Sequence, residues 1–140
     1  MEIDTALAFA RDHRRGVLAT LRANGRPQLS NIAYGIDDAG LIRISLTATR
    51  AKTKNAERDP RVSLHVATDD FWAYVVIEGD GELSAVSTEP GDAAGQELAE
   101  LYRSLSGEHP DWDDYFRAMV TDQRQVLRIR PTHVYGMLPS

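Results

Sequence analysis

Apolar residues in much of this chain fall at every second position, the period of a strand with one face buried. Val62, Leu64 and Val66 alternate with polar neighbours, and Ile42, Ile44 and Leu46 alternate with Arg43 and Ser45. Val17 to Leu21 is a further strand. Asn24-Gly25 signals a hairpin turn, and the extended pattern resumes from Gln28 to Ile36, with Pro27 at its start where a missing N–H does least harm. The acidic turn at 37–40 leads into a strand over 41–46. Phe71 to Leu83 reads as one long extended segment bent or bulged at EGDGEL, and 125–130 and 133–137 read as closing strands.

A helical period takes over in four places. Residues 4–13 suit a short helix capped by Asp4, with Leu7 and Ala10 on its apolar stripe. Residues 51–58 suit another, ended by Asp59-Pro60 because the residue before proline is biased out of the α region. Pro90 marks the approach to a third, with Ala94, Leu98, Leu101, Tyr102 and Leu105 at helical spacing. Pro110 and the acids Asp111, Asp113 and Asp114 open a fourth, where the helix dipole favours negative charge. The pattern predicts an α+β fold: about six antiparallel, hairpin-connected strands curled into a barrel, with peripheral helices, over one domain spanning 1–140. The βαβ rhythm of a parallel sheet is missing.

Composition narrows the function classes. A net charge of −5 argues against a nucleic-acid or anionic-membrane binder. The absence of cysteine excludes disulfides, thiolate nucleophiles and cysteine-ligated metals. No secretory leader and no apolar run of roughly 20 residues is visible, so the expectation is a soluble, cytoplasmic protein. The four histidines, His13, His65, His109 and His133, lack ligand spacing, and no metal site is expected. Phosphate-loop and nucleophile-elbow motifs are missing. GDGELS at 79–84 lacks the third glycine and the helix of a dinucleotide fingerprint.

One stretch departs from the acidic average. TRAKTKNAERDPR carries Arg50, Lys52, Lys54, Arg58 and Arg61. A solvated basic helix face is its plain reading. Two features favour an anion site instead. Arg50, Lys52 and Thr53 stand at a strand-to-helix junction, where unpaired N–H groups and the dipole attract anions. Nearby, Gln28, Ser30 and Asn31 are polar residues within a strand, the first two on one face and Asn31 on the other. Amides and hydroxyls beside a phosphate site suit a heterocycle with a phosphorylated tail. Trp72 alone reads as a barrel-packing aromatic.

GVLATLRANGRPQLSNIAYGID, TRAKTKNAERDPRVSLHV and GEHPDWDDYFRAMVTDQRQVLRIRPTHVYG resemble the pyridoxamine-5′-phosphate-oxidase-like split β-barrel superfamily, closest to its actinobacterial branch that uses the deazaflavin coenzyme F420. The resemblance runs from about Gly16 to Gly136. It implies a homodimer with cofactor sites in grooves between the subunits. It assigns the cofactor phosphate to Arg50, Lys52 and Thr53, with Lys54 beside them. Gln28, Ser30 and Asn31 are placed along the ring and tail, and Trp72 near the ring. The implied activity is hydride transfer from reduced F420 to an electron-poor acceptor such as an enone, quinone or unsaturated lactone. An FMN-dependent oxidase or reductase of the same fold stays open, as does a carrier of flavin, deazaflavin or a haem-like molecule without turnover. No catalytic acid or base is assigned.

Overall fold

A computed structural model of the protein describes residues 1–139. In chain order the elements are α1 (Ile3–Arg11), β1 (Arg15–Leu21), β2 (Pro27–Ala33), β3 (Gly35–Ile36), β4 (Ile42–Thr47), α2 (Ala51–Arg58), β5 (Arg61–Ala67), β6 (Tyr74–Leu83), α3 (Ala93–Ser106), α4 (Trp112–Thr121) and β7 (Arg124–Met137). The seven strands make one sheet in the order β2-β1-β5-β6-β7-β4-β3, with every pairing antiparallel. The sheet curls into a barrel left open at a seam, where β2 and β4 approach within 8 Å at Cα without pairing.

Period-two patterning explains the interior. Leu18, Ile42, Ile44, Leu46, Leu64, Val66, Val75, Ile77, Leu127 and Ile129 point inward and are almost fully buried. Each such side chain contributes about 1.5–3 kcal/mol through burial. α1 adds Ala6, Leu7 and Ala10 to this core, and α2 adds Ala56. The Tyr34 hydroxyl donates to the Ala10 carbonyl at 2.7 Å, joining α1 to the sheet, and burial pushes its pKa up.

Four features differ from the sequence expectation. The segment expected to be extended from Phe71 starts as a strand only at Tyr74, because 71–73 form the turn after β5 with Phe71 at a φ of 67°. The 28–36 segment is broken at Tyr34, whose side chain enters the core and whose N–H donates to the Arg14 carbonyl. The two closing strands are one, because Pro131 falls opposite Gly79 at a register shift where its lack of an N–H is tolerated. A Cβ at Gly79 would lie 2.5 Å from the Arg130 carbonyl oxygen, so only glycine permits this close approach. Asp4 does not cap α1: it lies in the first turn, after Glu2.

The outer face of β4 and β7 is covered by α3 and α4. Asp92 caps α3, accepting from the N–H groups of Gly95, Thr88 and Glu89 and from the Ser87 hydroxyl. Desolvation opposes its charge, but these donors outweigh it and hold the carboxyl at about 2. Arg43 and Arg128 stand directly opposite each other across β4 and β7, a repulsive pairing by itself. Glu97 of α3 resolves it, accepting from Arg43 Nε at 2.9 Å and Arg128 Nε at 2.8 Å, while Asp37 takes the other side of Arg43. Leu98, Ala99, Tyr115 and Val126 form a second, smaller apolar cluster there. None of the helices among the described residues is long and apolar enough to cross a membrane.

Candidate functional site

β4 sends Ile42, Ile44 and Leu46 inward, so Ser45 and Thr47 face outward under the helices. By pairing register, Thr47 lies beside Arg124, the first residue of β7. The chain then runs from Thr47 through a tight turn into α2, where Arg50 is the N-cap and provides no side-chain cap. Arg50, Lys52 and Arg124, from positions far apart in sequence, therefore line one polar cavity of about 300 Å³ together with Ser45, Leu46 and Thr47.

Adjoining this cavity is a larger groove of about 470 Å³ that shares Ser45, Lys52 and Arg124 with it. Asn31, Ile32 and Ala33 of β2 form one wall. The other is apolar and aromatic, with Leu98, Leu101 and Tyr102 from α3 and Tyr115 and Met119 from α4. Charge is thus concentrated at one end and apolar surface at the other.

The electrostatics of the charged end are unbalanced. Among the described residues no carboxylate lies within ion-pair distance of Arg50, Lys52 or Arg124. Desolvation first, then the charges of Arg50 and Arg124, hold the Lys52 ammonium below the usual lysine range. Arg124 Nε is buried without a hydrogen-bond partner, and it is the one such side-chain atom among the described residues. Burial pushes the Tyr115 hydroxyl up to about 12, with Arg124 working against it, so this phenol stays neutral in the groove.

The structure does not bring all the sequence-selected residues together. Asn31 and Lys52 line the groove, and Arg50 lines the polar cavity that shares Lys52 with it. Thr53 is buried, and its hydroxyl donates to the Thr47 carbonyl at 2.7 Å, fastening α2 to the end of β4. Lys54 is exposed and lines neither cavity. Gln28 and Ser30 are half-buried on the opposite face of β2 from Asn31, opposite Thr20 and Leu18 of β1. Trp72 is no barrel-packing residue: it sits at the tip of the β5–β6 hairpin, 80% exposed, next to Phe71 with its φ of 67°. Sequence reasoning did not single out Ser45, Tyr102, Tyr115, Met119 or Arg124. Only the Thr47–Arg124 register brings Arg124 to α2.

A curled antiparallel barrel with an open seam, carrying a groove along that seam, defines the split-barrel class. The chain belongs to the pyridoxamine 5′-phosphate oxidase family, whose model matches residues 3–138. Among solved structures it is similar to a conserved hypothetical protein of Mycobacterium tuberculosis, at 25% identity and a TM-score of 0.75, over 100% of this chain and 90% of the other. It is also similar to an F420 reductase, at 25% identity and a TM-score of 0.65, over 87% and 89%. A haem binding protein from Mycobacterium smegmatis shares the fold at 21% identity and a TM-score of 0.70, over 96% of this chain and 53% of that one.

Proposed function

We propose that the protein is an F420H2-dependent reductase, acting on an electron-poor small molecule of the enone, quinone or unsaturated lactone type. One observation carries the reading: Arg50, Lys52 and Arg124 converge without a carboxylate in a polar cavity that adjoins a groove with an apolar and aromatic wall. That polarity complements a ring system bearing a phosphorylated tail. Likeness to an F420 reductase at 25% identity favours the deazaflavin. Membership of the pyridoxamine 5′-phosphate oxidase family favours FMN as the second reading, since both cofactors carry a ribityl phosphate.

When bound, the reduced deazaflavin would supply the hydride. The chain's own residues hold and orient. Arg50 and Lys52 take the phosphate through charge-assisted hydrogen bonds, and the α3–α4 wall excludes water from the apolar end. Asn31 offers an amide to a polar ring edge. The neutral Tyr115 hydroxyl would offer a hydrogen bond to a bound ligand without adding charge.

The working unit we propose is a homodimer. Leu29, Phe71, Trp72, Tyr135 and Met137 are exposed. A cavity of about 750 Å³, lined by Arg15, Val17, His65 and Phe71, shares Asn31, Ile32 and Ala33 with the groove. A second copy seated on this face would bury the apolar residues and bring its own side chains beside the groove.

Steady-state oxidation of F420H2 against a panel of enones, quinones and unsaturated lactones tests the activity. Acceptor-dependent oxidation is expected. Tight F420 binding without turnover on any acceptor would make the protein a carrier and contradict the reading.

A further inference from the structure

We propose that Arg124 is a third ligand of the bound phosphoryl group, closing with Arg50 and Lys52 a three-cation site that joins the last strand to the first turn of α2. The inference rests on the cofactor reading above and deepens it by naming a residue and the ligand chemistry it meets.

Four observations carry it. Arg124 lines both the polar cavity and the groove, as does Lys52. Its Nε is buried and unpartnered, and its Nη1 reaches the Ser45 hydroxyl only at 3.5 Å, the limit of a hydrogen bond. No acid among the described residues balances it. The backbone that places it is held against preference: Gln123, just before it, has a φ of 53°, while the Gln123 carbonyl accepts from Ala48 N–H at 2.9 Å and the Arg124 carbonyl accepts from Ser87 N–H at 2.8 Å.

A buried guanidinium donor with nothing to donate to is costly unless a ligand meets it. Guanidinium donors lie in a planar fork that matches the oxygens of a phosphoryl group, and a neighbouring ammonium adds a point charge. Three cations with no counter-charge suit the several accepting oxygens of an anionic phosphoryl group better than a single carboxylate. A phosphomonoester, as in FMN, and a phosphodiester, as in F420, share this chemistry.

Lys52 and Lys54 are the only lysines in the sequence, which makes the test direct. Lysine side chains labelled with 13C report both ammonium titrations by NMR, Lys54 serving as an internal control. The probes are pyrophosphate, FMN and F420, titrated into wild type, Arg124→Gln and Arg124→Lys. In ligand-free protein, Arg124→Gln should raise the Lys52 titration midpoint by removing a repelling charge. It should weaken pyrophosphate, and whichever cofactor binds, by about ten- to a hundredfold. Arg124→Lys should restore part of the loss, and it serves as the folded comparison should the glutamine variant not fold. Equal pyrophosphate affinity in wild type and both variants, with the Lys52 midpoint unmoved, would overturn the inference and leave the cofactor reading standing. Loss of pyrophosphate binding in Arg124→Gln, in a protein whose wild type takes neither FMN nor F420, would support the three-cation site and overturn the cofactor reading.

Discussion

At the scale of single residues, the charged end of the groove makes opposite demands on neighbours in sequence. Lys52 lines the cavity, whereas Thr53 is buried against the Thr47 carbonyl. Lys52→Ala and Arg50→Ala should each weaken cofactor binding by about one to two decades, the cost of losing a charge-assisted phosphate contact. The loss should be larger at low salt, where screening of the wild-type attraction is least. The apoprotein's melting temperature should stay level or rise, because one of several crowded like charges is gone. Thr53→Ala should do the reverse, lowering stability by about 1 kcal/mol with a smaller effect on affinity. Calorimetric titration beside thermal melts separates the two patterns. Arg50 and Lys52 were legible in the sequence as like charges crowded at a strand-to-helix junction. Arg124 was not, because it is one of several arginines in the C-terminal strand region and nothing local distinguishes it from Arg128 or Arg130. Arg128 meets Glu97 and Glu82, and only the sheet register leaves Arg124 without an acid.

At the scale of elements, alternation identified the strands, and asparagine-glycine and proline positions set most turns. The unexpected features were tertiary. Tyr34 breaks a strand because its ring is needed in the core, and Pro131 sits within a strand because a bulge partner accommodates it. The placement of α3 depends on Glu97 neutralising two facing arginines, a demand invisible until β4 and β7 are paired. Glu97→Gln should therefore cost about 2 kcal/mol or more, since it leaves Arg43 and Arg128 opposed under a helix. The hydrogen bond from Arg128 is the main cause that lowers the Glu97 pKa; burial opposes it, and Arg43 lowers it further. A depressed carboxyl stabilises the fold fully above its unfolded value, near 4.5, and that stability fades as pH falls through the folded value. Melting temperature measured from pH 7 down to pH 3 should fall less steeply in Glu97→Gln than in wild type. Parallel curves would show that Glu97 does not couple folding to protonation.

At the scale of the whole molecule, the proposed homodimer would cover the exposed Leu29, Phe71, Trp72, Tyr135 and Met137. Multi-angle light scattering at micromolar concentration should report twice the 15.5 kDa chain mass. A monomer that still binds cofactor would contradict the dimer. The barrel and its helices were legible from periodicity, and two of the three cations at the polar cavity from charge. The apolar wall was not, because Leu98, Tyr102, Tyr115 and Met119 carry the same apolar signal whether they face a core or a ligand.

The most direct measurement of the central claim is calorimetric titration of the ligand-free protein with F420 and with FMN at matched ionic strength. F420 should bind more tightly, because its longer anionic tail meets more of the cationic surface around Arg50, Lys52 and Arg124. Equal or tighter binding of FMN would contradict the assignment of this groove to the deazaflavin.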